Sequence, residues 1–371
     1  HVAKSGVAKK TLIEEFTGAW CGFCPEGAFV LNDVIKQGNG KNIGIAIHGG
    51  TASTSSDRMI FSKGREIDTA YAAGYPSFMA NRYFFFEAQN TSMAFSRDQV
   101  TANVADLLTL NTPAAVSIKN FAYDTTTRRA TFDFETVFND NFTADFRPVV
   151  YVVEDSVKGS GSGWDQVNYF SGSGNPSNNP FPGDPDLDDL PNPITGWYHR
   201  HVLRDVVTPV NGDAGVIPTS IVANTTYSKS YSVTLAANVN PKQTHIVCAV
   251  QNNSTSKAYR QVLNSEEIAV VKKTSSAVRS IDNAIFNTIE INPNPVKDLA
   301  KVEFDLKNNV TLNVELFNIA GTKVMSIENG FFNSGTHTVG FDCSNLANGA
   351  YVLRSSDNLG NVENVKLVVN H

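Results

Sequence analysis

The chain has 371 residues, of which 41% are hydrophobic and 18% charged, with a formal net charge of −6. That length exceeds one small core and predicts two or three domains, and the balance of apolar to charged residues excludes a disordered chain. No basic run or aromatic–basic interleaving points to nucleic acid, and no stretch has the length of a membrane-spanning helix. Sparse charges with plentiful Asn, Ser, Thr and Gly suit a secreted, β-rich protein. The chain begins at His1 rather than Met, which is read here as a mature or trimmed form from which any signal peptide is already absent.

The first third mixes strands and helices. "KKTLIEEFTGAW" is a strand candidate that runs straight into "CGFC". "CPEGAFVLNDVIKQ" then places Ala28, Val30, Leu31, Val34 and Ile35 at helical spacing, with Pro25 near the start, where its missing N–H costs nothing, and Gly38 as the stop. "NIGIAIHGG" is a buried-type strand, and "SSDRMIFSKGREIDTAYAAG" predicts one or two helical turns. "GYPSFMANRYFFF" follows as strand-like sequence, and "SRDQVTANVADLLTL" as an amphipathic helix with Ser96 placed to cap it. The order β-α-β-α-β-β-α is that of an α/β layer.

Pro113 marks a change. From there to about residue 270 the runs "AAVSIKNFAYD", "RRATFDFETVF", "FRPVVYVVED", "KSYSVTLAA" and "THIVCAVQ" predict an antiparallel β-sandwich. "SGSGNPSNNPFPGDPDLDDLPNPITG" interrupts it as a surface loop. A polar linker leads to a last all-strand segment. The fold class expected is therefore multidomain α+β: an α/β domain over residues 1–112, a β-sandwich over 113–272, a linker over 273–284 and a small Ig-like β-sandwich over 285–371.

The chemistry centres on Cys21 and Cys24. Three uses are open: redox exchange, a metal site or a structural disulfide. Zinc needs a second CxxC or a histidine pair at ligand spacing, and neither is present. A helix beginning at the pair would direct its free N–H groups at Cys21, stabilise a thiolate and make Cys21 the attacking sulfur, with Cys24 one turn into the helix as the resolving partner. Trp20 and Pro25 would pack around them. The other two cysteines, Cys248 in "THIVCAV" and Cys343 in "FDCSNL", are expected to be buried spectators.

"WCGFCP" after an apolar strand and before a helix resembles the thioredoxin fold. "GYPSF" resembles that fold's cis-proline loop. The resemblance implies that Pro76 lies against the cysteines and that the Tyr75 backbone pairs with an extended peptide, so Trp20, Gly22, Phe23, Tyr75 and Pro76 form the substrate-binding set. Glu15, six residues before Cys21, falls where thioredoxins place a buried acid that moves protons for the resolving cysteine. The intervening residues, Gly22 and Phe23, lack the histidine of a strong oxidant, which tilts the reading toward a reductant or exchanger.

Domain order and "WYHRHVLRDVV" resemble the 28-kilodalton outer-membrane-protein family of Bacteroidetes. His199, His201 and Arg204 are site candidates there, against a plainer reading as hydrogen-bonded residues at a strand edge with both rings on one face. Asp184, Asp186, Asp188 and Asp189 form an oxygen-rich cluster that could hold calcium, although the glycine and terminal Glu of an EF-hand are missing and a solvated acidic loop is the plainer reading. At the chain end, "INPNPVKDLAKVEF", "VELFNIAGTKV", "LANGAYVLRS" and "NVKLVV" resemble the C-terminal sorting domain of type IX secretion cargo, with Pro293 and Pro295 expected to start its first strand. That resemblance implies export to the outer cell surface and the secretion machinery as a partner. The expected function is a secreted or cell-surface thiol–disulfide oxidoreductase acting on protein or peptide thiols and disulfides, with no cofactor beyond its own disulfide. The alternative is a non-enzymatic surface binding protein in which the disulfide is a staple.

Overall fold

The computed structural model describes residues 7–50, 56–85, 92–173, 186–271, 286–319, 321–357 and 362–371. The chain divides into two compact units, His1–Lys273 and Thr274–His371. The first begins with β1 (Thr11–Thr17), α1 (Cys24–Gln37), β2 (Asn42–His48), α2 (Ser62–Tyr71), β3 (Ser77–Ala80) and α3 (Val100–Thr109). One strand, β3, stands where two were expected. Asn81 and Arg82 end it with left-handed φ angles of 48° and 46°. Ser96 precedes a short 3-10 turn, Arg97–Gln99, rather than α3 itself.

β4 (Ala114–Asp124), β5 (Arg129–Phe138), β6 (Phe142–Thr143), β7 (Phe146–Glu154), β8 (Val202–Val206), β9 (Ser220–Ile221), β10 (Thr226–Thr234), β11 (Thr244–Asn252) and β12 (Val262–Ala269) complete the unit. They do not make a free-standing sandwich. One seven-stranded sheet runs β12-β11-β7-β8-β2-β1-β3, taking strands from both sides of the expected boundary at residue 113. β1 and β2 are parallel, β2 and β8 meet in parallel, and the remaining pairs are antiparallel.

The physical reason lies in the middle strands. Val150 and Val152 of β7, with Ile246, Cys248 and Val250 of β11, face the smaller sheet β10-β5-β4. Their alternates Val149, Tyr151, Val153, Val247 and Ala249 face a second core shared with Leu12, Phe16 and Ile67. Strands buried on both faces read as continuous apolar runs, and "PVVYVV" and "HIVCAV" are such runs. Arg82 ties the layers together. It donates to Glu14 on β1 through Nε and Nη2 at 2.9 and 2.7 Å, to Gln251 on β11 at 2.8 Å and to the Tyr151 hydroxyl on β7 at 3.2 Å.

β1 is buried throughout and its alternation sorts the faces. Leu12 and Phe16 face the core that contains Ile67 of α2. Ile13 faces the one formed by Val30, Leu31 and Val34 of α1 with Val100, Val104 and Leu107 of α3. Glu15, two residues from Ile13, shares the α1 side of the strand.

The second unit is all-β. β13 (Phe286–Asn292), β14 (Leu299–Leu306) and β17 (Gly335–Asp342) form one antiparallel sheet. β15 (Val310–Asn318), β16 (Lys323–Phe332), β18 (Gly349–Asp357) and β19 (Val362–Val369) form the other. Val302, Phe304, Leu312, Val314, Leu353 and Leu367 close the core between them. Pro293 and Pro295 lie in the connection between β13 and β14 instead of opening the first strand. The expected linker at 273–284 lies outside the described residues.

Candidate functional site

β1 ends at Thr17, and the loop of residues 18–23 turns the chain into α1. Cys21 and Cys24 are joined as a disulfide, with α-carbons 5.4 Å apart. Cys24 is the first residue of α1, not one turn in, and Pro25 occupies the second helical position. Cys21 therefore precedes the helix N-terminus by three residues. Its carbonyl accepts the Cys24 N–H at 3.2 Å, closing a tight turn around the pair. Both cysteines are deeply buried, Cys21 at 4% and Cys24 at 1% exposure.

The remaining residues expected at the site gather on two sides. Glu15 is 1% exposed, and burial pushes its carboxyl pKa up to about 8, against an opposing hydrogen bond from Thr17. Among the described residues its Oε1 has no hydrogen-bond partner. A Cβ on Gly27 would stand 2.7 Å from that oxygen and 2.7 Å from Pro76 Cβ, so Glu15, Gly27 and Pro76 meet at one point, three residues along α1 from Cys24. The Tyr75–Pro76 peptide is cis. Trp20 donates its indole N–H to Gly49 O at 2.9 Å and packs edge-on to Tyr75 at 5.0 Å. The Tyr75 hydroxyl donates to Asp68 at 2.7 Å, and burial raises its pKa.

Phe23 and Gly22 carry a layer the sequence did not announce. Phe23 meets Tyr169 and Phe170 edge-on at 5.5 and 5.7 Å, and the Arg97 guanidinium lies 6.0 Å from its ring. A Cβ on Gly22 would fall 2.1 Å from the Tyr169 ring, so only glycine admits this contact. Gln166, itself buried, donates its side-chain amide to the carbonyls of Gly18, Ala19 and Cys21 at 3.3, 3.3 and 2.9 Å.

Behind the loop sits a buried polar cluster. His48 Nδ1 lies 2.8 Å from Asp57 Oδ2, and that carboxylate also accepts the N–H of Ala19 at 2.8 Å and of Met59 at 2.9 Å. Burial works against the Asp57 charge, but the adjacent His48 and these hydrogen bonds outweigh it and hold the pKa below the usual carboxylate range. The His199 ring stands edge-on to His48 at 5.2 Å and donates through Nε2 to Trp164 O at 2.8 Å. Burial, then the nearby His48, pushes His199 down to about 4.

His199 and His201 do not share a strand face. His201 has a left-handed φ of 54°, β8 begins only at Val202, and the His201 ring turns to Asp155 at 3.1 Å. Arg204 pairs with Glu154 at 3.2 Å. Of the three, the structure brings only His199 near the cysteine loop. His48, Asp57, Gln166 and Tyr169 escaped the sequence reading because each comes from a separate stretch with no motif spacing.

Asp184 lies outside the described residues. The Asp188 N–H donates to Asp186 Oδ1 at 3.0 Å, which uses that carboxylate to shape the turn. Among the described residues no group of three His, Cys, Asp or Glu side chains is placed to hold a metal ion. Cys248 and Cys343 are buried free thiols, with pKa values raised by burial.

The fold is a β-rich chain of two units, with a disulfide at the head of a helix in the first and an all-β sandwich as the second. The family model for outer membrane protein Omp28 matches residues 66–274, more than half of the chain, and the chain belongs to that family. The secretion system C-terminal sorting domain matches residues 290–370. The protein is thus secreted or held at the outer surface, and its terminal unit engages the secretion machinery. Among the described residues, no helix is long and apolar enough to cross a membrane. The Cys21–Cys24 loop precedes the stretch matched by the Omp28 model.

No curated protein matches in sequence. Among solved structures the chain is similar to HBP35 of Porphyromonas gingivalis, with a TM-score of 0.53 and 18% identity over 99% of this chain and 100% of that one. A looser likeness, with a TM-score of 0.43 and 12% identity, covers 73% of this chain and 97% of a protein from Agrobacterium tumefaciens.

Proposed function

We propose that the first unit carries a thioredoxin-like layer and acts as an extracytoplasmic thiol–disulfide oxidoreductase through Cys21 and Cys24. The observation that carries this reading is a disulfide at the N-terminal end of α1 with a buried carboxyl group, Glu15, against Gly27 of the same helix, three residues beyond Cys24, its pKa of about 8 lying near neutrality. In the reduced form the Cys21 thiolate attacks one sulfur of a partner's disulfide. The partner's S–S bond breaks, a mixed disulfide forms, and one partner thiolate leaves. Cys24, giving its proton to Glu15 in the fraction of molecules where that carboxyl group is ionised, then attacks Cys21 Sγ, restores the internal disulfide and releases the second partner thiolate. Two electrons pass to the partner, whose two thiolates take protons from water while Glu15 returns the Cys24 proton to solvent, and the reverse sequence oxidises the partner. Isomerisation balances without an external electron supply and suits a protein outside the cell.

The burial of both cysteines favours a second reading, in which the disulfide is a staple and the protein binds partners at the surface without turnover. Steady-state reduction of a disulfide-linked reporter peptide by dithiothreitol, with and without the protein, separates the two. Acceleration that Cys21→Ser abolishes supports exchange. Equal rates for wild type and Cys21→Ser would overturn it.

A further inference from the structure

Residues 166–168 form a short extended piece between turns at 164–165 and 169–170, with an isolated β-bridge from Gln166 to Ile194. The N–H groups of Val167 and Tyr169 donate toward the cysteine loop, to Ala19 O at 2.8 Å and Gly22 O at 2.9 Å. Those of Gln166 and Asn168 point the other way, to Ile194 O at 3.1 Å and Asn192 Oδ1 at 3.0 Å. This alternation by two is the hydrogen-bonding pattern that an extended peptide makes along an edge, although Tyr169 itself lies in a turn. The Tyr169 ring covers Gly22 and meets Phe23, yet stays 60% exposed, while Phe23 is 46% exposed. Cys21 and Cys24 lie beneath, buried.

We propose that residues 166–170 occupy the peptide-binding edge of the Cys21–Cys24 site, and that this segment must yield the edge to an extended, aromatic-bearing peptide before the pair reacts. The proposal rests on the redox reading and adds to it the class of partner and a gate. Ala19 and Gly22 offer carbonyls to the backbone of the incoming chain, and the bare face of Gly22 with the Phe23 ring receives one aromatic side chain. His199, which holds Trp164 O, is the latch at one end of the segment. Asp57, which holds the Ala19 N–H, fixes the loop it docks on.

Dithiothreitol supplies the test. One of its thiolates attacks Cys21 Sγ, breaking the Cys21–Cys24 bond and freeing Cys24 as a thiolate. Its second thiolate then closes the cyclic disulfide and frees Cys21, so two electrons enter the pair. Free thiols are trapped by alkylation and counted by mass spectrometry. In the wild-type protein the reduction rate is expected to level off as dithiothreitol rises, because opening of the segment becomes limiting. In Tyr169→Ala and Gln166→Ala the plateau is expected to rise at least tenfold, with the final extent of reduction unchanged. Adding the peptide Trp-Asp-Gln-Val-Asn-Tyr-Phe, the sequence of residues 164–170, is expected to slow Tyr169→Ala again. A rate linear in dithiothreitol for the wild type, with variants within twofold of it, would overturn the gate. The redox reading fails differently: reduction would then stop at a very low extent at equilibrium in wild type and variants alike.

Discussion

The Glu15 carboxyl group and the Pro76 ring close on the same point, the position a side chain on Gly27 would fill. A methyl group there would lie 2.7 Å from each, closer than real contacts allow. The helix gains about 1 kcal/mol from alanine over glycine, while overpacking costs roughly 1–3 kcal/mol. Gly27→Ala is therefore expected to lose on the order of 1 kcal/mol of stability, read as a lower denaturant midpoint, and to slow exchange by displacing Pro76. A raised midpoint, the helix gain with no overpacking against it, would mean that the three residues do not share this space.

Glu15 is held in its protonated form by burial, with its pKa raised to about 8. The unfolded chain releases this proton near the ordinary value of about 4.3. Between these values the folded state binds more protons, so stability falls as pH rises through the window. Glu15→Gln removes this dependence. Each tenfold change in proton affinity is worth about 1.4 kcal/mol. The variant is therefore expected to be several kcal/mol more stable relative to wild type at pH 9 than at pH 4, and to slow the step in which Cys24 resolves the mixed disulfide at Cys21. Chemical denaturation at the two pH values checks the sign.

His199 works in the opposite direction. Its folded pKa of about 4 lies below the ordinary value of about 6.5. As pH falls below 6.5 the unfolded chain takes up a proton that the folded state refuses, so stability is lost down to pH 4. His199→Gln is expected to flatten the fall in melting temperature across this range. A fall as steep as in wild type would assign the acid sensitivity elsewhere.

Arg82 and Glu14 form an ion pair with side-chain exposures of 1% and 0%. Removing one partner strands a buried charge, at a cost of about 3–5 kcal/mol. Arg82→Ala is expected to lower the denaturant midpoint sharply, whereas Lys301→Ala, beside Glu303 at 3.8 Å on an exposed face, changes it little. Equal effects would contradict the buried network.

The sequence made the local elements legible, because β1, α1, β2 and α3 announce themselves through apolar spacing and stop signals. The sorting domain was legible through four motifs in order. What it hid was layering. Residue spacing places β7 and β11 in a separate sandwich, yet their two buried faces join them to the sheet of β1. The site followed the same division. Cys21, Cys24, Glu15 and Pro76 carry motif spacing, but Gln166 reaches the Cys21 carbonyl across 145 residues and Asp57 reaches Ala19 across 38. Such contacts are products of topology, which residue spacing does not encode.

Electron exchange at Cys21–Cys24 is the proposed activity of the first unit. Its most direct test is the reduction potential of the pair in the full chain, with the thiol pKa of Cys21 measured in the reduced form and Cys21→Ser as control. A pKa well below the free-thiol value of about 8.5, with a potential among exchange catalysts, is the predicted result. An ordinary pKa with a potential below about −300 mV, the range of structural disulfides, would contradict it.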